Sequence, residues 1–195
     1  ILSYDSNDLD MIQNYQYKMT VSLNKAIKFG FVRGPVWNFG DEDMKQGIEE
    51  FVKNAQLDIE ELDLGKDFDD AAKAHEIIMN GSIANSLMNY YQTDKSNLHP
   101  FTIKRIEAGI PVSASDYVSA IEQAKKMEQI LKQFFLKYDA IITPAAPGQA
   151  PRDLLNTGNA IFNGYWTMMG VPAISLPFLK GKDDLPIGIQ FIANW

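Results

Sequence analysis

The sequence predicts an α/β layered domain, a mostly buried mixed β-sheet covered by helices, and three observations carry that expectation. A strand-like run, an amphipathic helical pattern and a second strand-like run follow one another within residues 26–64, the signature of a βαβ unit. A one-sided helical stripe over residues 115–138 leads straight into the apolar run "DAIITPAAP". Near the C-terminus, "AISLPF" and "IGIQFIA" are joined by the polar loop "LKGKDDLP", which favours a hairpin.

Taken in order, residues 5–24 are polar with scattered Met, Tyr and Leu and read as a short helix or loop. "AIKFGFVR", residues 26–33, is apolar and aromatic and reads as a buried strand. "GPVWNFG" is a turn-rich loop, after which Asp41 stands as an N-cap. Met44, Ile48, Phe51, Val52 and Ala55 recur at helical spacing, so a helix is expected over 41–56. "LDIEELDL", residues 57–64, is the second strand, parallel to the first through a right-handed crossover. Residues 68–91 keep helical spacing, and Asn80-Gly81 divides them into two helices or kinks a single one. Residues 92–99 read as loop, and "PFTIKRIEAG" opens on Pro100 and closes on Gly109, the order of a short helix.

The clearest helix follows over 115–138. Ser113 and Asp116 have capping-box spacing, with Asp in place of the usual Glu. Tyr117, Ile121, Ala124, Met127, Ile130, Leu131, Phe134 and Phe135 make one apolar stripe, which reads as a sheet-packing face. The strand "DAIITPAAP" then runs into a proline-rich loop, and the hairpin closes the chain.

Composition narrows the function. Of 195 residues, 46% are hydrophobic and 22% charged, ordinary proportions for one large globular domain. The formal net charge of −7 argues against nucleic acid as a direct partner, because phosphate contacts need clustered Lys and Arg. No apolar run approaches the roughly 18 residues that span a bilayer, so no membrane role is expected. The absence of cysteine removes disulfides, thiol nucleophiles and Cys-ligated metals, and fits a reducing, cytoplasmic compartment. The chain begins "ILSYDSNDLD", without an initiator Met or a signal-peptide pattern, and ends on the apolar run "GIQFIANW". Both ends read as cut from something longer. Apolar strands at cut ends predict an exposed sheet edge, and with it self-association into a homo-oligomer.

The chemistry-bearing residues are few. Only His75 and His99 are available, and "HEIIM" at 75–79 lacks the second His of a zinc-protease helix. No G-x-S-x-G elbow supports a Ser–His–Asp triad, and no Gly-rich loop cradles a phosphate, so neither a metal nor a cofactor is expected. "NGS" at 80–82 lies inside a helical pattern and is a chance glycosylation match. The acids Glu60, Glu61, Asp63, Asp67, Asp69 and Asp70 lack calcium-loop spacing and read as a solvated edge.

What stands out is "TGNAIFNGYWTMMGVPAISLPF", residues 157–178, which reads as a loop that serves a site. Gly158, Gly164 and Gly170 permit close backbone approach or positive φ. Phe162, Tyr165 and Trp166 are placed either to pack as core or to wall a pocket beside those glycines.

This region resembles the C-terminal half of the amidase signature family. The matching pieces are Asp139 to Pro144, the Pro/Ala loop, Thr157-Gly158, Trp166-Thr167, Gly170 to Pro177 and Pro186 to Gln190. "RIEAGIPVSASDYVSAIEQAKKM" also looks like the family's stretch before its long helix, so order and spacing match over residues 103–193. Residues 26–91 fit more loosely.

The resemblance implies the C-terminal portion of a larger single domain with a large mixed sheet. It also implies amide (and some ester) cleavage by a Ser–Ser–Lys triad, with backbone N–H groups stabilising the oxyanion. In the family the triad precedes the part resembled here, and this chain has no "GSS" or "GGS" run, so no catalytic residue is carried over. The implied partners are a small-molecule amide substrate and the N-terminal half of the same protein. The implied substrate-binding residues are Phe162, Trp166 and Thr167, with Asn159 and Asn163 supplying amide contacts. Subunits that amidate aminoacyl-tRNA usually carry an acid three places before the aromatic-paired Thr. Gly164 stands at that place, which weakens an amidotransferase reading. A non-catalytic interaction protein with a degenerate amidase fold is the alternative.

Overall fold

A computed structural model describes residues 26–153 and 155–194, so the segment 5–24 lies outside the described residues. The first strand, β1, is Lys28–Phe31. Its parallel neighbour β2, Asp58–Glu61, is reached through helix α1, Glu42–Asn54, so the expected βαβ unit forms. Met44 and Ile48 bury the inner face of α1 at 0% exposure. That is how the i, i+4 spacing of apolar residues becomes packing.

Helix α2, Ala71–Thr93, is one continuous helix and not two. Asn80-Gly81 does not break it, because both residues serve contacts with neighbouring helices. A Cβ on Gly81 would sit 2.9 Å from the Tyr117 ring. Buried Asn80 accepts from the Arg105 guanidinium at 3.3 Å through its side-chain oxygen. The helix also runs past the expected start of the loop at 92, and a short 3-10 turn, Lys95–Asn97, follows.

Helix α3, Pro100–Gly109, has Pro at its first position, and the His99 ring nitrogen caps it by accepting from the Phe101 N–H at 3.2 Å. Helix α4, Ala114–Phe134, starts on the Ser113 cap, whose Oγ accepts from the Asp116 N–H at 3.0 Å. Asp116 does not complete the capping box on the backbone. Its shorter carboxylate instead accepts from the Ser113 hydroxyl at 2.7 Å. The predicted stripe packs inward, with Ala124, Met127 and Leu131 buried.

Residues 135–138 form a turn rather than more helix, and Asp139 ties it to β1 through the Lys28 N–H at 3.0 Å. Strand β3, Ala140–Pro144, then pairs parallel to β1. Helix α5, Ile161–Met168, comes next. The hairpin of β4, Ala173–Lys180, and β5, Pro186–Ile192, completes a five-stranded mixed sheet of order β2-β1-β3-β5-β4. One core fills both sides of this sheet, with Phe31, Ile142 and Ile189 among its strand residues and Ile48, Met127 and Trp166 among its helical ones.

The 157–178 stretch is therefore more regular than a loop. It contains α5 and most of β4. Its glycines behave as expected: Gly158 and Gly170 take φ of 84° and 67°. Gly164 permits close approach, since a Cβ there would lie 2.5 Å from the His75 ring.

Candidate functional site

Beyond the carboxyl end of β3 the chain opens onto a cavity of about 710 Å³. Ligands commonly sit at the carboxyl ends of strands in such sheets. One wall is the loop after β3, with Gly148 and Gln149; another is the approach to α5, with Asn156, Thr157 and Asn159. Asn163 in the first turn of α5, Ser175 on β4 and Gly188 on β5 form the floor, and Asp41 closes one side.

The walls are held by short-range chemistry. The Asn156 side-chain oxygen accepts from the Gly158 N–H at 2.9 Å, and that of Asn159 from the Ile161 N–H at 3.0 Å. These Asx turns occupy the carbonyl of each amide and leave its NH₂ group as a donor. Gln149 is fixed from both ends: its NH₂ donates to the Asp183 carboxylate, and its oxygen accepts from the Asp183 N–H at 3.2 Å. Arg152 pairs with the same carboxylate at 2.6 Å. Arg152 first, and then Gln149, hold the Asp183 carboxyl below the usual carboxylate range. Behind the cavity, buried Gln190 donates to the Pro144 carbonyl at 2.7 Å and the Phe162 carbonyl at 3.0 Å, so one side chain ties β3 to α5.

Among the described residues, Asp41 is the one formally charged residue in the lining. Its backbone N–H donates to the Pro147 carbonyl at 2.7 Å, which docks the start of α1 onto the cavity loop. Its backbone has the extended geometry of an N-cap, yet its side chain makes no cap bond. The carboxylate lies over Gly148 instead, where a Cβ would come within 2.3 Å of Oδ2.

Of the residues expected to bind substrate, Asn159 and Asn163 line this cavity. Phe162 and Trp166 are at 0% and 1% exposure in the sheet core, and Thr167 is exposed outside the lining. Among the described residues, the Thr143 and Tyr165 hydroxyls and the Trp166 indole nitrogen are buried around α5 without a hydrogen-bond partner.

Among the described residues, no His or Lys joins the hydroxyl-bearing Thr157 and Ser175 in the lining. Among the described residues the lining offers hydrogen-bonding groups to a ligand and no imidazole or amine to activate these hydroxyls. Both histidines have structural places, His99 as the α3 cap and His75 against Gly164. Burial, and then the Arg105 charge, lower the His75 pKa. Among the described residues no cluster of three His, Cys, Asp or Glu could hold a metal ion, and no helix is long and apolar enough to cross a membrane.

The Amidase family model matches residues 1–195. The chain belongs to the Amidase family. Solved amidase-type structures have the same fold. One is described as the crystal structure of an amidase, with a TM-score of 0.75 and 16% identity over 88% of this chain and 43% of that one. A 6-aminohexanoate cyclic dimer hydrolase complexed with substrate gives a TM-score of 0.69 and 16% identity over 89% of this chain and 42% of that one. A curated relative from Agathobacter rectalis, a subunit of glutamyl-tRNA(Gln) amidotransferase, is 28% identical over 232 aligned positions. The match covers 100% of this chain and 46% of that protein, so this chain spans about half the length of that relative.

Sequence reasoning missed Asp41, Gly148, Gln149 and Ser175 as site residues. Asp41 was legible only as a helix cap, and nothing local distinguishes Ser175 from any strand serine. Thr157-Gly158 and the Pro/Ala loop were the signals that pointed to the cavity loop.

Proposed function

We propose that this chain is the pocket-forming portion of an amidase, a hydrolase acting on carbon–nitrogen bonds of non-peptide amides. Its Ser–Ser–Lys machinery would be supplied by another part of the same fold. The observation that carries this reading is the cavity itself, which combines donor amides, backbone and one carboxylate at the end of β3 and, among the described residues, holds no His or Lys. That composition suits substrate positioning and leaves the chemical step to other residues. The cytoplasm is the compartment in which we place it, on the strength of a cysteine-free chain.

The test is ammonia release from simple carboxamides by the full-length protein and by residues 1–195 alone. The full-length protein is expected to turn over and the 195-residue chain to stay at background. Turnover by the 195-residue chain that disappears in Ser175→Ala would overturn this division of labour.

The Agathobacter rectalis relative favours a second reading, a subunit of an amidotransferase. The packing around Gly164 weighs against it. A side chain at that position would meet the His75 ring, so the acid expected of tRNA-amidating subunits has no room there. Glutamine-dependent amidation of an aminoacyl-tRNA by the full-length protein would favour that second reading.

A further inference from the structure

We propose that Asp41 is a specificity-determining residue of the cavity and selects amides whose acyl part carries a positively charged amine. This rests on the amidase reading for the identity of the ligand as an amide. The selection itself follows from three features of the site.

First, among the described residues Asp41 is the one formally charged residue in the lining, and its carboxylate makes no hydrogen bond or ion pair with any of them. Lys45, one turn along α1, pairs with Glu42 at 3.2 Å, and Arg152 pairs with Asp183. Second, the side chain forgoes the capping bond that an Asp in this backbone geometry ordinarily makes, and lies toward Gly148 at the cavity wall. Glu42 and Asp43 in the first turn of α1 add further negative charge beside it. Third, the same lining offers the NH₂ groups of Asn156 and Asn159, whose carbonyls are already occupied. A ligand with a carbonyl at one end and an ammonium at the other complements both kinds of group. A ligand with a carboxylate at that end meets like charge.

Asp41 is exposed, so its effect is that of one screened ion pair, about five-fold in affinity or KM. Three amides of matched length separate the cases: 5-aminovaleramide (ammonium), hexanamide (neutral) and adipamate (carboxylate). Binding to the full-length protein is read by ligand-observed saturation-transfer NMR, which needs no turnover, and hydrolysis is followed in parallel. The expected order is ammonium over neutral over carboxylate. Asp41→Asn should bring the ammonium-to-neutral ratio to about one, and rising salt should shrink it in the wild type. Gly148→Ala, which pushes the carboxylate aside without removing it, should reduce the same ratio.

A wild-type ratio of one, or a ratio that survives both substitutions and high salt, overturns the proposal. Cleavage without charge order leaves the amidase reading standing and removes Asp41 as selector. Charge-ordered binding with no cleavage does the reverse. If the Asn variant fails to fold, Gly148→Ala and the salt series decide.

Discussion

Gly164 shows how a single absent methyl group positions a site. Helix α5 approaches α2 closely enough that a Cβ at 164 would fall 2.5 Å from Nδ1 and 3.1 Å from Cγ of His75. The contact is with a ring rather than a flexible chain end, so it cannot be relieved cheaply. Gly164→Ala is expected to cost about 1–3 kcal/mol, the usual penalty for overpacking, measured by urea unfolding. Tyr165 next to it makes the opposite point. Its hydroxyl is buried without a hydrogen-bond partner, and burial pushes its pKa above the ordinary tyrosine value. Tyr165→Phe is therefore expected to be neutral or stabilising in thermal unfolding, because an unpaired hydroxyl contributes nothing that the ring does not. A loss above about 1 kcal/mol would reveal a bound water joining Tyr165, Thr143 and Trp166.

Between elements, α2 and α3 are joined through backbone. A Cβ on Gly109 would lie 2.0 Å from the carbonyl oxygen of Asn80, and a backbone atom cannot swing away. Gly109→Ala is expected to be more damaging than Gly164→Ala in the same urea assay, with the α2–α3 packing lost first. Strands β1 and β2 and the turn before β3 meet at Glu60. Its carboxylate pairs with Lys28, and accepts from Lys137 and the Tyr138 hydroxyl at 2.6 Å each. Lys137 first, then Lys28 and Tyr138, hold its pKa down at about 2 from an ordinary 4.5. A depressed folded-state pKa stabilises the fold above the unfolded value and loses that contribution on acidification. The melting temperature should therefore fall between pH 4.5 and about 2, and Glu60→Gln should flatten that part of the curve. An unchanged slope would show that this exposed cluster is too screened to matter.

Across the molecule, the two ends of the sheet differ. Strand β4 is the outermost strand among the described residues, and it exposes Ile174 at 58% and Phe178 at 53%. Phe178 stacks on Phe51 with centroids 5.5 Å apart and meets Phe191 edge-on, so an aromatic cluster continues to the surface there. An unpaired edge beside apolar rings is a surface on which strands add. Light scattering of residues 1–195 is expected to show concentration-dependent association, reduced by Ile174→Lys. A clean monomer at all concentrations would show that Pro177 and the irregular register between Leu176 and Leu179 already block the edge.

Local periodicity was enough for the class of fold and most of its elements. Apolar spacing marked α1, the stripe of α4 and the strands β1, β3, β4 and β5, and the proline and glycine at the ends of α3 marked its limits. The family was legible too, through motifs that lie close together along the chain. Where the reading failed, distant neighbours decided. Asn80-Gly81 left two helices or one kinked helix open, and α2 is one helix, because Arg105 and Tyr117 from two other helices use those positions. The glycines of 157–178 suggested a loop, yet α5 forms where Gly164 meets His75, 89 positions away. The candidate site divides along the same line. Asn159 and Asn163 were legible because they lie beside the motif, whereas Asp41 and Ser175 reach the cavity only when β3, β4 and the start of α1 converge. Periodicity is a property of adjacent residues and can be read in one dimension. A cavity is a property of surfaces brought together from separate elements, and only packing creates it.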